Sequence, residues 1–136
     1  MKEVFDKLAK SASDARSLAY SPYSGVTVGA ALLTDDGKTY LGANVENASF
    51  SLTECAERVA IFKAITAGER KFCAIAIAGG KAGCDVGGSF PPCGACRQVL
   101  AEFCPSDMPV LLVNGEGYSV HKLSELLPLG FDKDFL

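Results

Sequence analysis

The sequence predicts a mixed α/β fold, and three observations carry that prediction. Segments of helical periodicity alternate with short apolar runs, in the order helix, hairpin, helix, strand, helix, strand, strand. Hydrophobic residues make up 49% of the chain and charged residues 21%, a globular balance. The length, 136 residues, is that of one domain, and such a chain buries about two-thirds of its unfolded surface, enough for a core of its own. Residues 1–136 are therefore expected to form a single domain.

Residues 3 to 20 read as an amphipathic helix, because Val4, Phe5, Leu8, Ala12, Ala15 and Ala19 recur at helical spacing with charged residues between them. Tyr20 to Gly25 contains Pro22 and breaks it. Val26 to Thr34 is a small, apolar strand. Asp36-Gly37 is a hairpin signal, so Thr39 to Val45 is the paired strand. Asn44 to Phe50 is polar loop. A second helix is expected from Leu52 to Ala67, with Ser51 or Thr53 as its cap and Gly68 as its stop. Phe72 to Ala78 is the best central strand, and the glycine-rich stretch from Gly79 to Phe90 is irregular. Pro91-Pro92 leads into a third helix, Gly94 to Phe103, which Pro105 ends. Pro109 to Val113 is another buried strand, Tyr118 to His121 a short edge strand, and Leu123 to Leu127 one helical turn before Pro128.

Charge and hydropathy exclude several functions. The net charge is −3 and there is no basic stripe, which argues against a nucleic-acid partner held by its phosphates. No apolar run reaches the ~18 residues of a membrane span. Met1 to Lys10 carries Glu3 and Asp6 and no signal-peptide core, so a cytoplasmic location is expected.

Six cysteines need an account: Cys55, Cys73, Cys84, Cys93, Cys96 and Cys104. Without signs of export, close-spaced cysteines point to metal binding or redox chemistry rather than a disulfide framework. Cys73 and Cys104 lie in apolar contexts and read as buried hydrophobes. Cys55 and the pair Cys93 and Cys96 each fall near the start of an expected helix, where free N–H groups and the helix dipole favour thiolates. One soft divalent cation, zinc, suits these three ligands, and a three-ligand site is the catalytic type that keeps a position for water. Glu57, two residues from Cys55, is placed to act as general acid–base on that water. Three thiolates exceed the charge of the dication, so Arg58 or Arg97, each adjoining this constellation, is expected to donate hydrogen bonds to a cysteine sulfur.

Other readings compete. A Cys-x-x-Cys pair alone fits a redox site, but that leaves Cys55 and Glu57 without a role. A structural zinc module without catalysis needs a fourth ligand, for which Cys84 and His121 are the soft candidates. Taken singly, Glu57 also fits a solvated surface charge, Asn44 and Glu46 fit turn residues, and Phe131 fits core or interface packing.

The two segments Cys55-Ala56-Glu57-Arg58 and Pro92-Cys93-Gly94-Ala95-Cys96-Arg97-Gln98 together resemble the zinc-dependent cytidine deaminases, whose chemistry uses a zinc-activated water and a glutamate that does not bind the metal. The resemblance extends over Tyr20-Ser21-Pro22-Tyr23-Ser24, Val28 to Leu32, Asn44-Val45-Glu46-Asn47, Leu126-Leu127-Pro128 and Phe131. It implies a three-layer α/β/α sandwich around a mixed, five-stranded sheet. It implies one zinc per chain on Cys55, Cys93 and Cys96, and Glu57 as proton carrier. The implied activity is deamination of cytidine and 2'-deoxycytidine in pyrimidine salvage, with a deaminase for another aminopyrimidine nucleoside as the alternative. A cysteine at position 55 resembles the small homotetrameric branch, whose active sites are shared between subunits. By the same resemblance Asn44 and Glu46 hold the ribose hydroxyls, Ala56 and Glu57 the polar edge of the base, and Phe131 packs on a neighbour's substrate. The family often carries an aromatic at the place of Val26.

Overall fold

The computed structural model describes residues 1–136 and has a five-stranded sheet between two layers of helix. The strands are β1 (Val26–Thr34), β2 (Thr39–Ala43), β3 (Phe72–Lys81), β4 (Pro109–Asn114) and β5 (Gly117–Lys122), in the order β2-β1-β3-β4-β5. Only the β3–β4 pair is parallel; the other three pairs are antiparallel. The helices are α1 (Lys2–Ala15), α2 (Ala56–Thr66), α3 (Gly94–Phe103) and the single turn α4 (Leu123–Leu126).

Alternation along the strands divides the core in two. On one face Leu8, Ala9 and Ala12 of α1 pack on Ala31, Ala74, Ala76, Ala78 and Leu111. On the other face Ala56, Ala60, Ile61 and Ala64 of α2 and Leu100 of α3 pack on Val28, Ala30, Leu32, Ile75, Ile77 and Val110. The three-layer order expected from the resemblance is therefore present, and β3, covered on both faces, is central.

Two glycines let the helices settle directly on the sheet. A Cβ at Gly29 would lie 2.0 Å from the Ala12 carbonyl oxygen of α1, and one at Gly42 would lie 2.2 Å from the Ala56 oxygen and 2.5 Å from the Ala60 nitrogen of α2. The contacts are with backbone, which cannot swing aside. Gly42 thus sets the height of the helix that begins beside Cys55.

Several boundaries differ from the periodicity. The first helix ends at Ala15 and tightens into a 3-10 turn at Arg16–Leu18, leaving Leu18 exposed. The hairpin strand stops at Ala43; Val45 instead forms isolated bridges with Tyr20 and Glu54. That second bridge corrects the start of α2. Glu54 N–H and C=O pair with Val45 at 2.9 and 3.0 Å, so Thr53 and Glu54 are extended and neither Ser51 nor Thr53 caps the helix. Cys55 is the N-cap. β3 runs three residues beyond Ala78, to Lys81, because Gly79, Gly80 and Lys81 pair with Val28, Thr27 and Val26.

Replacing Gly42 by Ala is expected to cost about 1–3 kcal/mol or more through overpacking, because the obstructing atoms belong to the α2 backbone. Denaturant unfolding of the variant checks this; a loss below about 0.5 kcal/mol would show that α2 rides on the sheet with room to spare.

Candidate metal centre and active site

The topology brings two helix starts to one place. The crossover β3–α3–β4 returns to a parallel strand, so α3 must begin at the carboxyl end of β3. Helix α2 leads into β3 from the opposite direction, so it begins at that end too. Cys55 is the N-cap of α2, Cys93 is the N-cap of α3, and Cys96 lies in the first turn of α3. Neither helix start is capped by a side-chain hydrogen bond, so both leave first-turn backbone N–H groups free at the end where the sulfurs lie.

The Sγ atoms of Cys55 and Cys93 are 3.9 Å apart, those of Cys93 and Cys96 are 3.3 Å apart, and all three lie within 4.8 Å of one another. No fourth cysteine, histidine, aspartate or glutamate joins the group. Cys84 is exposed in the irregular segment after β3, and His121 on β5 bonds to the Ser119 hydroxyl at 2.9 Å. A soft, three-sulfur donor set fits zinc, and it lacks the fourth protein ligand of a closed structural site.

The sulfurs do not share charge equally. The Cys55 thiol is held well below its usual pKa by hydrogen bonding from Cys96 and from the Arg58 guanidinium, while that same bond and burial push the Cys96 thiol up. Arg58 Nη2 donates to Cys55 Sγ at 3.2 Å, and its Nη1 lies 3.5 Å from Glu54 Oε1. Of the two arginines, only Arg58 reaches a sulfur. Arg97 turns away, donating through Nε to the Pro92 carbonyl at 2.8 Å and through Nη1 to the Leu126 carbonyl at 2.7 Å. It ties the loop before Cys93 to α4.

Glu57 is 4% exposed in the first turn of α2, and burial raises its pKa, with the negative Cys55 sulfur adding to the effect. It is not the solvated surface charge that spacing alone allowed. Ala56, fully buried, opens the helix, so its N–H has no partner within α2.

Asn44 and Glu46 flank Val45, which bridges to Glu54 next to Cys55, and much of their bonding capacity is spent on their own chain. Asn44 Oδ1 accepts from Val28 N–H at 2.8 Å and its Nδ2 donates to the Val26 carbonyl at 2.9 Å. The Glu46 carboxylate accepts from the backbone N–H groups of Tyr23 and Ser24 at 3.0 and 3.1 Å and from the Ser24 hydroxyl, which lowers its pKa. Phe131 is exposed, its ring stacked on Phe135 at 5.4 Å, and its carbonyl accepts from Gln98 Nε2 at 2.7 Å. A cavity of about 440 Å³ lies at the other end of α3, lined by Cys104, Leu123, Leu127 and Asp132, and contains none of these residues.

Two contacts were not read from the sequence. The Glu54–Arg58 pair has a visible signal in its i,i+4 spacing. The Gln98–Phe131 bond, spanning 33 residues, has none. The remaining cysteines are of a different kind. Burial pushes Cys104 up to about 12, so it behaves as a small hydrophobe, whereas Cys73 is only half-buried, with its thiol donating to the Thr34 carbonyl at 3.6 Å.

Known proteins resemble this chain in sequence and in fold. Residues 2–112 match the family described as the cytidine and deoxycytidylate deaminase zinc-binding region. The chain is 48% identical over 132 residues to a cytidine deaminase of Sporosarcina psychrophila, covering 96% of this chain and 93% of that one. It is 52% identical over 125 residues to a cytidine deaminase of Halalkalibacterium halodurans, covering 91% of each. The crystal structure of a cytidine deaminase from Burkholderia pseudomallei superposes with a TM-score of 0.84 at 46% identity, covering 92% of this chain and 97% of that one.

Replacing Arg58 by Ala removes the only charged hydrogen bond to a sulfur and is expected to weaken zinc retention about 10- to 100-fold, the range for a partner of a metal ligand. Competition with a chromogenic chelator reads this directly. Cys84→Ser in the same assay is expected to match the unaltered protein, and loss of metal from it would revive a four-ligand site.

Proposed function

The chain belongs to the cytidine and deoxycytidylate deaminase zinc-binding family, and we propose that it is a zinc-dependent cytidine deaminase, converting cytidine and 2'-deoxycytidine to uridine and 2'-deoxyuridine in cytoplasmic pyrimidine salvage. The observation that carries this reading is the set of three sulfurs within 4.8 Å at two helix starts, with no fourth ligand and the buried carboxyl of Glu57 in the adjoining turn.

Cys55, Cys93 and Cys96 hold one zinc ion. Bound zinc supplies Lewis acidity, which brings the ionisation of water toward neutral pH. Glu57 does the proton work: it accepts one proton from the attacking water and passes it to the ring nitrogen, then takes the second from the added hydroxyl and delivers it to the departing amine. The carbon–nitrogen bond to the amino group breaks, a carbonyl forms, and ammonia leaves, so water and nucleoside are the only reactants. Burial suits Glu57 to the task by raising the affinity of its carboxyl for a proton. The free N–H of Ala56 and the Glu57 carboxyl hold the polar edge of the base.

Arg58 offsets the excess negative charge on the thiolates. Arg97 keeps the Cys93 loop docked. Asn44 and Glu46 hold ribose hydroxyls with the capacity their internal bonds leave free; Asn44 retains one N–H and one lone pair, and the carboxylate of Glu46 is kept ionised by its donors. Phe131 packs on the substrate of a neighbouring subunit in a homotetramer. The apolar surface that supports assembly includes Tyr20, Phe50, Leu52, Phe131 and Phe135, between 56% and 73% exposed on the isolated chain. The net charge of −3 fits a small nucleoside rather than a polynucleotide. The 136 residues act as one unit around the shared sheet.

Metal analysis combined with an ultraviolet assay of cytidine, 2'-deoxycytidine and free cytosine tests the reading. Both nucleosides should be consumed and cytosine spared; equal turnover of cytosine would remove ribose recognition from Asn44 and Glu46. Glu57→Gln should keep its zinc and lose about 10²- to 10⁴-fold in kcat, the range for general acid–base catalysis. Unchanged turnover in that variant would take Glu57 out of the chemistry.

A further inference from the structure

We propose that Phe90 forms the stacking surface for the pyrimidine base and is a specificity residue of this site; the assignment rests on the deaminase reading above. Phe90 lies three residues before Cys93, in the irregular segment between β3 and α3. Its ring is laid flat against the backbone of β3: a Cβ built on Gly79 would fall 2.4, 2.7 and 2.8 Å from its Cγ, Cδ2 and Cδ1. The glycine is what admits the ring.

Strand geometry places that ring on the catalytic side of the sheet. Ile75 and Ile77 pack with α2 and α3, and alternation puts Gly79 on the same face. The register sets Gly79 opposite Val28, with Val26, opposite Lys81, on the adjacent diagonal. The backbone of Val26 and Val28 is where the Asn44 amide is fastened. The ring therefore sits at the carboxyl end of β3, between the Asn44 corner and Cys93, at the end of the sheet where the two helix starts meet.

Its exposure distinguishes it from core packing. Phe72, at the other end of β3, is 2% exposed, whereas Phe90 is 37% exposed. One side of the ring rests on glycine, and part of what is left reaches solvent. Pro91 and the buried Pro92 follow directly and restrict the backbone, so the ring is held in place before any ligand arrives. Val26, on the same wall, offers no π face. A planar heterocycle entering beside the sulfurs meets one preformed aromatic surface on this wall, and that surface is Phe90.

Steady-state kinetics of F90A and F90L, with thermal melting and zinc content as controls, test the assignment. Leucine keeps apolar bulk on Gly79 without a ring, so it separates packing from stacking. Both variants should raise the KM for cytidine about tenfold and weaken inhibition by uridine in parallel, as expected for loss of one base–aromatic contact, while kcat changes by less than about threefold. The chain contains no tryptophan, so F90W carries a single reporter. Its emission should be quenched saturably by uridine and not by ribose. A cytidine-deaminating wild type with unchanged KM and uridine inhibition in F90A and F90L, or an F90W emission indifferent to uridine, overturns the assignment alone. Absence of cytidine turnover in the wild type overturns the deaminase reading and this assignment with it.

Discussion

Two helices begin at the same end of one sheet, and three thiols stand at those beginnings. Each start presents N–H groups that the helix cannot use, and a thiolate sulfur is stabilised there. Cys55 and Cys93 occupy the cap positions where serine, threonine or aspartate would ordinarily satisfy those donors. The cap exchanges a local hydrogen bond for a metal ligand, and in doing so couples the geometry of the fold to the chemistry of the site.

The placement of the helices rests on close contacts with the sheet. Small residues dominate where helix meets strand: Ala12 on Gly29, Ala56 and Ala60 on Gly42, and a run of alanines on the inner face of β3. Interiors packed this tightly transmit small shifts instead of absorbing them. A helix raised by one methyl group would carry Cys55, Ala56 and Glu57 with it. The bridge between Val45 and Glu54 acts from the other side, holding the chain extended up to the residue before the cap.

Charge around the sulfurs is arranged in layers. Arg58 faces Cys55, and Glu54 in turn faces Arg58. Glu57 stands next to this exchange, and burial together with the neighbouring Cys55 sulfur favours its protonated form more than water does. Arg97 shows how the same residue type one step from a ligand can serve a different end, since its guanidinium is committed to two backbone carbonyls.

Much of this was legible in the residues. The helical and strand periods located all five strands and the main helices, since each buries one face against a common core. The cysteine spacing, two helix-start contexts and the nearby glutamate pointed to three sulfurs gathered in one place with a carboxyl in the adjoining turn. Both are local patterns, set by the physics of caps and of thiolate ligands. The true start of α2, the extension of β3 to Lys81, the choice of Arg58 over Arg97 at the sulfur, the commitment of Asn44 and Glu46 to their own chain, and the seating of Phe90 on Gly79 were settled only by tertiary structure. Each depends on a partner brought near by sheet register or helix docking, and no residue carries in its own neighbourhood the address of a partner dozens of positions away.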